Sequence, residues 1–272
     1  MPMAGLPRLV ATDLDGTLLR TDGTVTARTV QTLRDVEQAG VQLVVVTARP
    51  PRWMHDLLDV IGDHGLAICA NGAYVYDVVG RRMVSEHTLT RDVVTEIAAD
   101  LRLAIPGIRF AVERRDGPGL EPDYVERYPV PPGSPIAVLE QLIDPLPGKL
   151  LARHEALDPQ EFIAAVTRVV GDRAVVAYSG AGGLAEISAI GVTKAAALAD
   201  WCLGHGIEAA DVWAFGDMPN DLPMLSWAGR SYAVANAHPE VVAVATDRCA
   251  SNDDDGVATV LAEALETDVP PR

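Results

Sequence analysis

At 272 residues, 49% of them apolar, the chain is long enough to bury two cores and too apolar for disorder or low complexity. Its net charge of −16 excludes a nucleic-acid partner, which would need a basic face, but not a small phosphate ester held in one local cationic pocket. No apolar run reaches the length of a membrane span, so no membrane partner is expected. Residues 1–7 lack the charged and apolar parts of a secretory signal. Cys69, Cys202 and Cys249 show neither pairing nor ligand spacing, which predicts a reducing, cytoplasmic setting.

The first element is a short apolar run over residues 9–12, the pattern of a buried strand, and it breaks at Asp13-Leu14-Asp15-Gly16-Thr17. Residues i and i+2 of a strand share a side, so Asp13 and Asp15 leave its end together, and Gly16 permits a sharp departure. Two like charges held this close are costly unless a cation lies between them or one carries a proton. An acidic turn is the plainer alternative. Two carboxylates aimed the same way from the end of a buried run favour a metal-assisted site.

Thr26 then suits the N-cap of a helix over residues 27–39, with Val30, Leu33 and Val36 on one face and Gly40 at its end. Residues 41–46 read as a second buried strand, which stops at Thr47-Ala48-Arg49-Pro50-Pro51. A helix through Trp53, Leu57, Leu58 and Ile61 leads to a third strand over residues 66–70, ending at Asn71-Gly72. Strands and helices alternating in buried runs predict an α/β fold with a doubly wound parallel sheet. Residues 74–84 alternate around Gly80 and read as a hairpin.

The pattern changes near Ser85. A helix over 91–102, a strand over 109–113, a Gly/Pro-rich span over 116–135 and helices near 136–143 and 159–170 follow, with strands over 149–154 and 174–178. These read as an α+β insertion with its own core, over residues 85–189, dividing a first core segment (1–84) from a second (190–272). In the second segment, residues 194–203 and 221–227 read as helices, 212–215 and 232–236 as strands, and 257–265 as a closing helix.

Ligand sites in open α/β sheets lie beyond the carboxyl ends of the strands, and the inferred strands end on Asp13 and Asp15, Thr47, Asn71 and Asp217. Thr47 alone suits a helix N-cap equally well. Lys194 is one of only two lysines, the other being Lys149, and stands where the core resumes. Gly216-Asp217-Met218-Pro219-Asn220-Asp221 would start a helix, but its acids and amide also suit a hard cation such as Mg²⁺. Asn71-Gly72 reads first as a hairpin turn. The six histidines are scattered without ligand spacing, and none is assigned a role.

Asp-x-Asp-Gly-Thr after a buried strand, then Thr47, Lys194 and residues 216–221 in order, resembles the four motifs of the haloacid dehalogenase (HAD) superfamily of phosphohydrolases. The large late insertion resembles that of the Cof-type sugar-phosphate phosphatases. The resemblance implies a Rossmann-like core with an inserted cap, and Mg²⁺-dependent hydrolysis of a small phosphate ester by a monomer or homodimer. Asp13 would be the nucleophile, forming an aspartyl-phosphate. Asp15 would protonate the leaving alcohol and then activate water. The metal would be held by Asp13, Asp217 and, through its backbone carbonyl, Asp15. Thr47, the backbone N–H of Ala48 (usually Gly in such proteins), Lys194 and Asn220 would hold the phosphate. Asp221 would orient Lys194 or the metal shell, and Asn71 and Asn236 would support the site. The cap would exclude water and contact the leaving group, with Arg114, Arg115, Tyr124, Glu126, Arg127 and Tyr128 as polar candidates. A haloalkanoate dehalogenase would have no need of Asp15. A phosphomutase would use the same residues, and a non-enzymatic sugar-phosphate binder would not need the intact set.

Overall fold

The computed structural model describes residues 5–58, 65–179 and 182–268, so Ile61 of the expected second helix lies outside the described residues. The chain forms two compact units, one from residues up to Val84 together with those from Lys194 onward, the other Ser85–Thr193.

The first unit begins with β1 (Leu9–Thr12), every residue of it buried. The helix Ala27–Gln38 follows, its N-cap Thr26 accepting from the Thr29 N–H. Then come β2 (Gln42–Val46), β3 (Leu66–Cys69), and β4 (Tyr74–Asp77) with β5 (Arg82–Glu86).

In the second unit β6 (Arg109–Arg114), β7 (Gly117–Leu120), β8 (Lys149–Arg153), β9 (Val175–Ala177) and β10 (Leu184–Ser188) form an antiparallel sheet in the order β7-β6-β8-β10-β9. Period-two alternation turns Phe110, Val112, Leu150, Ala152, Ala185 and Ile187 into one core with Ile97 and Leu101 of the helix Arg91–Ala104 and Phe162 and Val166 of the helix Pro159–Val170. The alternate positions include Lys149 and Glu186, a buried pair with Nζ 2.5 Å from Oε1.

The first unit resumes with the helix Lys194–Gly204, β11 (Val212–Gly216), the helix Leu222–Trp227, β12 (Arg230–Ala233) and β13 (Asp247–Arg248). Its sheet runs β13-β12-β11-β1-β2-β3-β4-β5. The strands from β13 to β3 are parallel, and β4 turns back antiparallel on β3. This is the doubly wound parallel sheet the alternating pattern predicts. Leu9, Ala11, Val44, Val46, Ile68 and Ala214 pack with Leu198, Cys202, Met224 and Leu225 on one face. Val10, Val45 and Phe215 alternate to the other. β1 lies between β2 and β11, so the ends of all three come together.

Several elements differ from the expectation. The described part of the second helix is a 3₁₀ segment, Pro51–Leu57, behind two prolines that remove donors. Part of the Gly/Pro-rich span is β7, where Pro118 is tolerated because the strand is at the sheet edge. The helix expected over 136–143 shrinks to Leu139–Leu142, because Ile136 bridges Leu120 and the Ala137 N–H donates to the Leu120 carbonyl. Residues 234–236 lie beyond β12, and β10, β13 and the helix Pro239–Val244 are additional. No helix of the described residues is long and apolar enough to cross a membrane.

Candidate active site

Beyond β1 the Asp13 N–H donates to the Phe215 carbonyl at 3.0 Å, extending the parallel pairing by one residue. The chain then closes a tight loop in which the N–H groups of Thr17, Leu18 and Leu19 all point to the Leu14 carbonyl. Gly16 takes φ +80° in that loop, and a Cβ there would stand 2.5 Å from Asp217 Oδ2. Only glycine allows both the turn and this approach. Asn236 braces the loop, its Nδ2 donating to the Gly16 carbonyl at 2.7 Å while its Oδ1 accepts from the Asn252 N–H.

The first residue of the helix Lys194–Gly204 carries its ammonium into the same place, although Lys194 is only 1% exposed. Its Nζ lies 2.5 Å from Asp13 Oδ1 and 2.7 Å from Asp221 Oδ1. The other Asp221 oxygen accepts from the N–H groups of Asp217 and Met218 at 3.1 and 3.0 Å. Asp221 therefore fixes both the lysine and the turn after β11. Asp217, at the end of β11, receives the Thr17 hydroxyl at 3.2 Å. Carboxylate oxygens of Asp13, Asp217 and Asp221 lie within 4.8 Å of one another.

Three buried carboxylates face one ammonium, and the electrostatics register the excess. Burial pushes the Asp13 carboxyl well above its ordinary range, with Asp221 and Asp217 adding to the effect and Lys194 opposing it. Asp217 is pushed up to about 7, first by burial and then by Asp221, against Lys194. Burial alone would lower the Lys194 ammonium, but Asp13 and Asp221 outweigh it and hold the group above its ordinary value. A hard divalent cation with oxygen ligands would relieve this uncompensated charge, so the donor set fits Mg²⁺.

The remaining expected residues divide. Thr47, fully buried after β2, accepts the Arg49 N–H on its hydroxyl at 3.0 Å, and Ala48 lies between them. Asn71 occupies the turn from β3 to β4 with φ 58°, so the hairpin reading holds. Yet it also faces the site's other amide, since Asn220 Nδ2 donates to Asn71 Oδ1 at 3.2 Å. Asn71 Nδ2 and Asn220 Oδ1 are buried without a hydrogen bond inside the protein. Asp15 departs from its neighbours. Its side chain is 56% exposed and its carboxylate is absent from the three-carboxylate group. It is gripped instead by Arg49, a residue the sequence pattern did not single out, through Nε to Oδ2 at 2.8 Å and Nη2 to Oδ1 at 2.5 Å. The Thr47-Ala48-Arg49 stretch was the available signal. Of the polar candidates in the second unit, Arg114 is buried and donates to the Leu142 and Asp144 carbonyls, and Tyr124 is buried against Ala111 and Leu120.

The profile of the haloacid dehalogenase-like hydrolases matches residues 10–261. YxeH of Bacillus subtilis is 30% identical over 95% of this chain and 98% of its own length. A phosphoglycolate phosphatase of Methanopyrus kandleri is 28% identical, with 95% of this chain and 97% of the relative covered. The crystal structure of SMU.1108c from Streptococcus mutans superposes with a TM-score of 0.83 at 24% identity, over 96% of this chain and 99% of that one, and so shares the fold.

Proposed function

Because the chain belongs to the haloacid dehalogenase-like hydrolases, we propose that it is a Mg²⁺-dependent phosphatase of small phosphate monoesters, sugar phosphates or related metabolites, acting through an aspartyl-phosphate. One observation carries the reading: Asp13, Asp217 and Asp221 lie buried together at the ends of β1 and β11 with Lys194 as their ammonium partner. The name of the Methanopyrus relative, a phosphoglycolate phosphatase, supports a small phosphate monoester as the substrate class.

Asp13, Asp217 and the backbone carbonyl of Asp15 would hold the metal, which when bound neutralises charge on the phosphoryl oxygens. Lys194 occupies Asp13 Oδ1, which leaves Oδ2 as the attacking oxygen. The P–O bond to the alcohol breaks as the bond to Asp13 forms, and Asp15 gives its proton to the departing oxygen. Asp15, now ionised, takes a proton from the water that attacks phosphorus, and Asp13 is released. The Thr47 hydroxyl already accepts from the Arg49 N–H, so its own hydrogen remains to meet a phosphate oxygen. The Ala48 N–H, Lys194 and the amides of Asn220 and Asn71 complete the phosphate's surroundings, and Asn236 holds the loop that bears Asp15.

The test is turnover of p-nitrophenyl phosphate with Mg²⁺ and with a chelator, for the native chain and Asp13→Asn. Metal-dependent release of nitrophenolate that disappears in the variant supports the reading. Metal-independent release, or a variant with near-native activity, would refute it.

A further inference from the structure

Two carboxylates leaving a strand end two residues apart would both be drawn to a divalent cation held there. A carboxylate bound to the cation is then no longer free to carry a proton to a leaving group. The chain separates the two. Asp13 is 7% exposed at its side chain and belongs to the three-carboxylate group, whereas Asp15 is 56% exposed and turned out of it.

Arg49 is built to hold Asp15 there. Its Nε and Nη2 meet the two Asp15 oxygens at 2.8 and 2.5 Å, the fork geometry that fixes a carboxylate's rotamer as a point charge would not. The arginine's own backbone is pinned on both sides, its N–H donating to Thr47 Oγ1 at 3.0 Å and its carbonyl accepting from the Ala70 N–H at 2.9 Å. Its guanidinium also lies 5.9 Å from the Trp53 ring centre. Asp15 and Arg49 together line a recess of about 590 Å³ with Gly16, Arg20, Asn236 and Asn252. Each carboxylate oxygen keeps a second lone pair when a guanidinium occupies the first, so the clamp leaves room for the proton.

We propose that Arg49 is a positioning residue, which keeps the Asp15 carboxylate away from the metal-binding carboxylates and presents it to the leaving group. The inference rests on Asp15 being the proton donor, so Asp15→Asn runs beside every Arg49 variant. Two esters separate the effects: p-nitrophenyl phosphate, whose phenolate departs without a proton, and phenyl phosphate, whose leaving group needs one.

In Arg49→Ala, kcat/KM, which reports only the steps up to departure of the leaving group, should fall about 100-fold for phenyl phosphate, the scale of lost general acid catalysis, while for p-nitrophenyl phosphate it stays within about threefold. Mg²⁺ affinity, read by calorimetry, should hold or rise as Asp15 is released toward the other carboxylates. Arg49→Lys, one ammonium in place of a fork, should fall between the native enzyme and Arg49→Ala on phenyl phosphate. If Asp15→Asn shows the split between esters and neither Arg49 variant does, the proposal for Arg49 is wrong. If Asp15→Asn itself lowers kcat/KM equally for both esters, the proton-donor reading fails and takes the Arg49 proposal with it. Should Arg49→Ala not fold, the Arg49→Lys ratio between the two esters decides the matter by the same criterion.

Discussion

Gly16 is the residue with least room to vary. A methyl at its Cα would overlap Asp217 Oδ2 at 2.5 Å, in a backbone conformation with φ +80° that L side chains avoid. Gly16→Ala should cost about 1–3 kcal/mol in stability and weaken Mg²⁺ binding at least tenfold, both readable from thermal melts over a Mg²⁺ titration. The carboxylates themselves predict a pH effect. Asp217, pushed up to about 7 in the fold from an ordinary 3.8, binds its proton more tightly folded than unfolded. Its contribution therefore favours the metal-free fold at low pH and is lost as pH rises from about 4 to about 7. The metal needs the ionised form, so the rise in Tm on adding Mg²⁺ should be larger at pH 8 than at pH 5.5. An equal rise at both would show that Asp217 is not among the ligands. At this scale the meeting of Asp13, Asp217 and Lys194 could be read from the chain because each follows or opens a buried element. The Arg49–Asp15 pair could not, since both residues lie in turns and periodicity does not say which way a turn throws its side chains.

Elements show the same division between local signal and tertiary context. Helices with good caps were legible, as with Pro159–Val170, where Asp158 accepts from the Gln160 and Glu161 N–H groups ahead of an apolar stripe. Asp158→Ala should cost about 1 kcal/mol. Phe162→Ala, which empties the middle of the second core, should cost about 3–5 kcal/mol. Urea melts should show the difference as a larger midpoint shift at unchanged slope. Smaller effects for Phe162 than for Asp158 would mean that this core collapses around the gap. Strands whose sequence breaks the usual rules were hidden. β7 is Gly-Pro-Gly-Leu, and Gly119 is small because a Cβ would meet Leu142 and Val112 at 3.0 and 3.1 Å. β10 carries Glu186 at its centre, a buried charge paired with Lys149 of β8.

The molecule as a whole has two cores, and every side chain assigned to the chemistry belongs to the unit that contains β1. Differential scanning calorimetry should resolve two transitions, of which added Mg²⁺ raises only one. Mutation of Phe162 should lower only the other. A single transition moving with both perturbations would show that the cores melt cooperatively. The division also has a consequence for biosynthesis. Lys194 pairs with Asp13 across 181 residues of chain, and β11 is the neighbour that closes β1 on its second side. At about 5–20 residues per second, on the order of ten to forty seconds pass between the ribosome's making the aspartate and its making the lysine. The second unit, whose strands and helices are all contiguous, can finish folding in that interval, while β1 waits with an open edge. The emerging chain is therefore most exposed to misassociation before its last third is translated, and pausing there would lengthen the risk.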